Sequence, residues 1–223
     1  MQVAIIGCSF SDSWYNPNNY TESLAKLYPK IKFFNYAKAG RGHLYMDMCL
    51  KHCLFVEKYD LILIQLTGRS RWQTPCGISE SDNTDIRPWE SYEQVPLRHN
   101  YTLMRPTEAV NTIIQNESPK SKDKGPLRTS YSGLFYKQLD VLSKTYPIFY
   151  YSFPDLKFGV TNNIGQEYDV FSWFENRFGE RIFIEKCLDD TDHLNLYGNK
   201  LLLEEYILSS KIKIALDNLI TKL

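Results

Sequence analysis

The sequence predicts an α/β fold of three layers, in which a mostly parallel, five-stranded sheet lies between two layers of helices in a flavodoxin-like arrangement. Short apolar runs rich in β-branched and aromatic residues alternate with segments whose apolar residues recur every three or four positions. The run "LILIQL" at 61–66 is almost wholly apolar, which is typical of a strand buried on both faces. Because strands that alternate with helices form right-handed βαβ units, we expect the strands to be parallel.

The predicted strands and helices follow from these two patterns. The clearest strands are at 3–6, 61–66 and 148–153, and weaker candidates are at 32–36 and 181–185. Helices are predicted at 20–27, 44–56 and 131–144, and a long helix is predicted from 195 to about 219.

Residues 67–130 interrupt this alternation. The segment is rich in Arg, Pro, Ser, Asn and Asp, and "SPKSKDKGP" at 118–126 is its most linker-like part. A helix is predicted within it at 103–115. We therefore expect one domain over residues 1–223, with an irregular insertion around 67–130.

Charge and hydropathy exclude several classes of partner. Lys and Arg total 26, as do Asp and Glu, so no global field attracts nucleic acid or an anionic membrane. No apolar stretch approaches the about 20 residues needed to span a bilayer, and the first apolar run is too short for a signal peptide. We expect a cytoplasmic protein with no nucleic-acid or membrane partner, and the oligomeric state stays open.

The five cysteines predict neither disulfides nor a metal site. Their number is odd, and no CxxC pair occurs. Cys49 and Cys53 flank His52 on a predicted helix, but no second pair of ligands lies nearby, so buried thiols are the better interpretation. No metal or cofactor is expected.

Chemically useful residues follow the predicted strands. Open parallel sheets carry their sites at the carboxyl ends of the strands, so these segments are expected at one edge. They supply a hydroxyl, a glycine, a guanidinium, a carboxylate and an imidazole, at Ser9, Gly40, Arg69, Asp190 and His193. Those groups are what acyl transfer by an activated serine requires.

Four motifs resemble the SGNH or GDSL-type serine hydrolases. A G-x-S-x-S element stands at 7–11, and "NYAKAG" ends at Gly40. "DLILIQL" leads into the third block, and "DTDHLNLYGNKLLLEEY" contains a D-x-x-H pair and the helix that follows it. The order of the motifs along the chain also matches the family.

The resemblance implies a role for each of these residues. Ser9 would be the nucleophile, His193 its general base, and Asp190 the carboxylate that holds the far imidazole nitrogen. The backbone N–H groups of Ser9 and Gly40 would receive the oxyanion. Arg69 stands near the position of the family's asparagine, where it would act as a third donor, bind an anionic group of the substrate, or mark a weakened site.

The resemblance implies a serine esterase that acts on a small-molecule or glycan ester. Arg69, Arg71 and Trp72 form "RSRW", in which an aromatic ring suits the face of a sugar, so O-acetyl groups on a carbohydrate are the expected substrate. Two alternatives stay open. One is an O-acyltransferase in glycan biosynthesis with the same triad, and the other is a non-catalytic glycan- or protein-binding module that retains the fold.

The same residues also have purely structural interpretations. Ser9 and Ser11 suit the cap of a following helix, and Asp190 suits the start of the last one. Gly40 suits a turn with positive φ. The sequence does not separate these roles from the catalytic ones.

Overall fold

The computed structural model describes residues 1–12, 19–38, 43–67, 92–93, 126–153, 162–190 and 193–222. The predicted three-layer α/β/α arrangement is confirmed, with a parallel sheet at its centre. The strands are β1 (Gln2–Ile6), β2 (Lys32–Asn35), β3 (Leu61–Leu66), β4 (Tyr92–Glu93) and β5 (Ile148–Ser152). Their order across the sheet is β4-β2-β1-β3-β5.

Five strands were predicted, but the sheet of the described residues contains only four strands of ordinary length. Four strands have four to six residues each, whereas β4 has only two and pairs with β2 at the edge. The segment 181–185, predicted as a strand, is helical. Its β-branched Ile182 and Ile184 are 43% and 51% exposed, whereas Phe183 and Cys187 are buried, and this spacing of four is that of a helix.

The described segments contain seven α-helices. They are α1 (Tyr20–Leu27), α2 (His43–His52), α3 (Pro126–Leu142), α4 (Val170–Phe178), α5 (Glu180–Cys187), α6 (Leu196–Leu201) and α7 (Lys211–Thr221). Turns of π-helix at Cys53–Glu57 and Leu202–Ile207 extend α2 and α6.

Helix boundaries differ from the predictions at two places. The predicted helix at 195–219 is divided, because α7 begins after Ser210, whose hydroxyl accepts a hydrogen bond from the Ile212 N–H. Helix α3 begins at Pro126 rather than at 131, so the insertion ends earlier than predicted. The predicted helix at 103–115 lies outside the described residues.

Burial on both faces explains why the central strand is continuously apolar. Val3 and Ile5 of β1 face a core formed with α1, α4, α5 and α7, whereas Ala4 and Ile6 face a second core formed with α2 and α3. All four of these side chains are fully buried. The alternation of side chains along a strand therefore divides the chain's apolar residues between two layers.

The strand order creates a crevice beside β1. The chain passes from β1 to β2 on one side and then crosses to β3 on the other, so the topological switch point lies between β1 and β3. Ligand sites in such sheets lie at the carboxyl edge of this point.

No helix in the described parts of the chain has both the length and the apolar character needed to cross a bilayer.

We predict that Gly198→Ala destabilises the fold. A Cβ added to Gly198 would lie 2.4 Å from the backbone oxygen of Cys187, so α6 would have to move away from the end of α5. We expect the free energy of unfolding in urea to fall by about 1–3 kcal/mol. Leu196→Ala is the control, because that side chain lies in the same helix and is 67% exposed. A loss for Gly198→Ala no larger than that of the control would contradict this packing.

Candidate active site

A tight turn carries Ser9 at the end of β1. The Cys8 carbonyl oxygen accepts hydrogen bonds from the N–H groups of Ser11 (2.9 Å) and Asp12 (3.0 Å). Ser9 lies within this turn and is only 3% exposed. The turn therefore presents a nearly buried hydroxyl at the carboxyl edge of the central strand.

The turn requires glycine at position 7. A Cβ on Gly7 would lie 2.9 Å from Gln65 Oε1 and 2.9 Å from both Cβ and Oγ of Ser11. A side chain there would displace the Gln65 amide and the side chain of Ser11. The glycine that opens the G-x-S-x-S element is thus explained by close packing.

The imidazole of His193 meets the hydroxyl of Ser9. His193 Nε2 lies 2.8 Å from Ser9 Oγ, although the two residues are 184 positions apart in the chain. The ring of His193 also packs against Phe10, with ring centroids 4.8 Å apart. A hydroxyl within hydrogen-bond distance of an imidazole nitrogen is the geometry that proton transfer requires.

Backbone hydrogen bonds close the loop that carries His193. Leu188 and Leu194 form an antiparallel bridge across its base. The Asp189 N–H donates to the His193 carbonyl oxygen (2.8 Å), and Asp189 Oδ1 accepts from the His193 N–H (3.2 Å). The loop is therefore short and closed on itself, which limits where the imidazole can lie.

Asn199 ties this loop to the beginning of α1. Its Nδ2 donates to the carbonyl oxygens of Leu194 (2.6 Å) and Asn195 (3.1 Å), and its Oδ1 accepts from the Tyr20 N–H (3.1 Å). Asn199 is 3% exposed, so these bonds have little competition from water. The amide thereby links the segment after His193 to the helix that follows the Ser9 turn.

Asp190 does not meet His193. It is exposed, and within the described residues it forms no hydrogen bond or ion pair. Its neighbour Asp189 contacts His193 instead, but through the backbone N–H rather than the ring. The D-x-x-H spacing predicted that this loop carries site residues, and the direction of each carboxylate depends on the turn that the loop adopts.

Four of the predicted site residues lie outside the described residues, namely Gly40, Arg69, Arg71 and Trp72. The chain before Gly40 runs beside the Ser9 turn, because the Tyr36 N–H donates to the Ile5 oxygen (2.7 Å) and the Lys38 N–H to the Gly7 oxygen (3.2 Å). Thr67, which follows β3, is buried.

An aromatic wall lies on one side of His193. Phe10 stacks on Phe153 with ring centroids 4.3 Å apart, and meets the edge of Phe171 at 5.7 Å. Phe153 is fully buried. The wall therefore gives the imidazole an apolar neighbour on one face.

Sequence reasoning missed a buried polar network beneath Ser9. Gln65 Oε1 accepts hydrogen bonds from the Cys8 N–H (3.1 Å) and the Ser11 hydroxyl (3.2 Å). Ser11 Oγ also lies 2.7 Å from the Tyr20 hydroxyl, which accepts a hydrogen bond from Tyr151. Burial raises the pKa of Tyr20 to about 12, so its phenol stays protonated near neutral pH. The available signal was the one polar residue within "LILIQL".

The structure also contains a pocket that lies apart from this edge of the sheet. This pocket of about 480 Å³ opens beside the beginnings of β3 and β5, at Leu61 and Ile148, and is therefore at the opposite edge from Ser9. In the portion of the chain that is described, no group of three His, Cys, Asp or Glu side chains is arranged to hold a metal ion.

Comparisons with known proteins give similarities of fold. No protein-family model matches the chain, and no curated protein matches it. Among solved structures it is similar to TesA, at 13% identity and a TM-score of 0.40, over 92% of this chain and 94% of that chain. It is also similar to the psychrotrophic esterase EstA from Pseudoalteromonas sp., at 13% identity and a TM-score of 0.43, over 96% and 97% of the two chains.

A third similar structure is LAE5, an alpha/beta hydrolase enzyme from the metagenome of Lake Arreo, Spain. The identity is 11% and the TM-score 0.43, over 95% of each chain. Similarity at these values assigns no chemistry to this chain, whose own side chains form the contact between Ser9 and His193.

We predict that Asn199→Ala displaces the His193 loop. The substitution leaves the Tyr20 N–H and the Leu194 oxygen without their buried partner, so we expect a loss of about 1–3 kcal/mol in the free energy of unfolding. We also expect the ¹⁵N NMR signals of the His193 imidazole to shift, because the hydrogen bond to Ser9 depends on the loop.

Asn163→Ala is the matched control for this prediction. Asn163 Nδ2 donates to the Ile148 oxygen (2.7 Å) and its Oδ1 accepts from the Tyr150 N–H (2.7 Å), so it also binds backbone groups, but at the beginning of β5. It should lower stability and leave the His193 signals in place. Equal His193 signals in both variants would show that Asn199 does not hold the loop.

Proposed function

We propose that this protein is a serine esterase that hydrolyses a small acyl ester through an acyl-enzyme on Ser9. The observation that carries the proposal is the 2.8 Å contact between Ser9 Oγ and His193 Nε2. A serine hydroxyl is a poor nucleophile near neutral pH unless a base removes its proton. The motif order, which resembles that of the SGNH hydrolases, agrees with this pairing.

The reaction proceeds in two steps. Ser9 Oγ attacks the carbonyl carbon of the ester while His193 Nε2 takes the hydroxyl proton, and that proton then passes to the departing alcohol. Water next attacks the acyl-enzyme, giving one proton to His193, which returns it to Ser9 Oγ as the acid departs. The apolar contact with Phe10 on one face of the imidazole limits hydration there.

The oxyanion of each step needs donors beside Ser9. The backbone N–H of Ser9 is the first, and Gly40 and Arg69 are the further donors that the motifs suggest. Arg69 would be a charge-assisted donor in place of an amide.

Asp190 is proposed to act through its charge. It is exposed and lies in the same loop as His193, so its carboxylate would stabilise the imidazolium through solvent rather than through a hydrogen bond. That role differs from that of the buried aspartate of a hydrogen-bonded triad, and it makes a different quantitative prediction.

The proposed substrate is a small acyl ester, such as an O-acetyl group on a carbohydrate. Ser9 is only 3% exposed, which favours a short acyl chain. Arg71 and Trp72 are the residues proposed to contact the sugar, because an aromatic ring and a guanidinium suit its apolar face and its hydroxyls.

We predict that Ser9→Ala and His193→Ala each lower kcat for 4-nitrophenyl acetate by about 1000-fold or more, because neither group works without the other. Mass spectrometry should find a serine-reactive phosphonate on Ser9 of the wild type and on no residue of Ser9→Ala. Ser143→Ala is the control, since that hydroxyl is bonded to the Asp140 carbonyl oxygen in an exposed turn after α3.

The same assay separates the alternatives. Hydrolysis of a peracetylated monosaccharide by the wild type and not by Ser9→Ala would support the proposed substrate. A Ser9 adduct with acyl transfer to added sugar and negligible hydrolysis would instead identify an acyltransferase. Wild-type protein with neither turnover nor adduct would overturn the catalytic proposal.

We predict that Asp190→Asn lowers kcat/KM by less than about tenfold, and that the effect shrinks in 1 M NaCl. An exposed charge acts weakly through solvent and is screened by salt. The measurement is the ratio of wild-type to variant kcat/KM at low and high ionic strength. A loss of about 1000-fold that is independent of salt would show that Asp190 is hydrogen-bonded to the imidazole during the reaction.

A further inference from the structure

We infer that Gln65 is a positioning residue, which holds the Ser9 turn against β3 so that the hydroxyl reaches His193. This inference rests on the proposed function for its effect on rate, but the positioning itself is measurable without turnover. Nothing in the four motifs that resemble the SGNH hydrolases assigns a role to this side chain.

Gln65 is a polar residue in the interior of the sheet. It lies in β3 between Ile64 and Leu66, both fully buried, and is itself fully buried. It faces the same side of the sheet as Leu63, whose side chain belongs to the core beneath α1 and α7. A primary amide in such a position is costly unless all its hydrogen-bonding groups are used.

The Gln65 amide binds groups on both sides of Ser9. Its Oε1 accepts from the Cys8 N–H at 3.1 Å and from the Ser11 hydroxyl at 3.2 Å, one residue before Ser9 and two residues after it. The Cys8 thiol donates to the same oxygen at 3.3 Å. The Oε1 atom of Gln65 therefore holds the turn on both sides of Ser9.

A further hydrogen bond holds the Gln65 amide in one orientation. Gln65 Nε2 donates to the Leu66 carbonyl oxygen at 2.6 Å, which keeps Oε1 directed towards the turn. The Ser11 hydroxyl gives its proton to Gln65, so it accepts from Tyr20, which in turn accepts from Tyr151. The hydrogen bonds of this network therefore all run in one direction, from the three hydroxyl groups towards Gln65 Oε1.

Gly7 leaves room for the Gln65 amide. A Cβ there would lie 2.9 Å from Gln65 Oε1, so the absence of a side chain lets the amide reach the turn. The glycine and the glutamine are thus two parts of one arrangement. Because a displacement of about 1 Å at a reacting group costs about 100-fold in rate, this arrangement bears directly on Ser9.

The test is Gln65→Met, which keeps the length of the side chain and removes the amide. We expect kcat for 4-nitrophenyl acetate and the rate of phosphonate labelling of Ser9 to fall about 10- to 100-fold, with KM changed by less than about threefold. The matched control is Leu63→Ala, which removes core contacts on the same face of β3 without touching the turn. It should leave both rates within about threefold of the wild type when the protein is folded.

Two readouts do not depend on turnover. In Gln65→Met the amide hydrogen of Cys8 should exchange faster, and the ¹⁵N signals of the His193 imidazole should move towards those of Ser9→Ala. Both should stay at wild-type values in Leu63→Ala. If the wild type proves unreactive but these shifts occur, the proposed function fails and the positioning role stands.

The inference is overturned if Gln65→Met resembles Leu63→Ala in labelling rate, Cys8 exchange and His193 signals. If Gln65→Met does not fold, Ser11→Ala decides, because it removes a single hydroxyl from the same oxygen. A smaller shift in the same three readouts supports the inference, and wild-type values in all three overturn it.

Discussion

The structure depends on the complete burial of Val3–Ile6 in β1. This strand is hydrogen-bonded to β2 on one side and to β3 on the other, and its side chains enter two separate cores. No polar side chain is accommodated along Val3–Ile6, so polar chemistry begins only where the strand ends. The Ser9 turn lies at that point, and its position follows from the apolar strand that precedes it.

The loop that carries His193 is held by hydrogen bonds near the C-terminal end of the chain. The loop with His193 is closed by the Leu188–Leu194 bridge and by the hydrogen bonds of Asp189, and Asn199 joins it to α1. Helix α6 approaches the end of α5 closely because Gly198 has no side chain. The imidazole therefore reaches Ser9 through a series of short, directional contacts rather than through apolar packing alone.

Buried polar groups make this edge of the sheet sensitive to small changes. Gln65, Ser11, Tyr20 and Tyr151 satisfy one another in a region from which water is excluded. In such a network the loss of one member leaves others unpaired, which costs more than the bond itself contributes. The pKa of Tyr151 is raised well above its usual value by burial, so the network stays uncharged. The nucleophile turn is thus supported by neutral hydrogen bonds.

The fold class, four of the strands and most helix positions were predictable from the sequence, because apolar periodicity reports which faces are buried. The sequence pattern misassigned 181–185, where β-branched residues lie in a helix whose burial is set by Phe183 and Cys187. It also singled out Ser9 and His193 from motif order and from their positions after predicted strands, although the segment before His193 is helix α5. Such local signals carry no information on the direction of a side chain.

Which side chains come into contact depends on how the strands and loops assemble. The tertiary structure brings His193 Nε2 to 2.8 Å from Ser9 Oγ, leaves Asp190 exposed, and directs Gln65 from a neighbouring strand into the Ser9 turn. Each of these outcomes joins segments that are far apart in the chain, so it depends on the order of the strands and on the close packing that Gly7 and Gly198 permit. The physical reason is that hydrogen bonds require distances and angles, which only the assembled sheet defines.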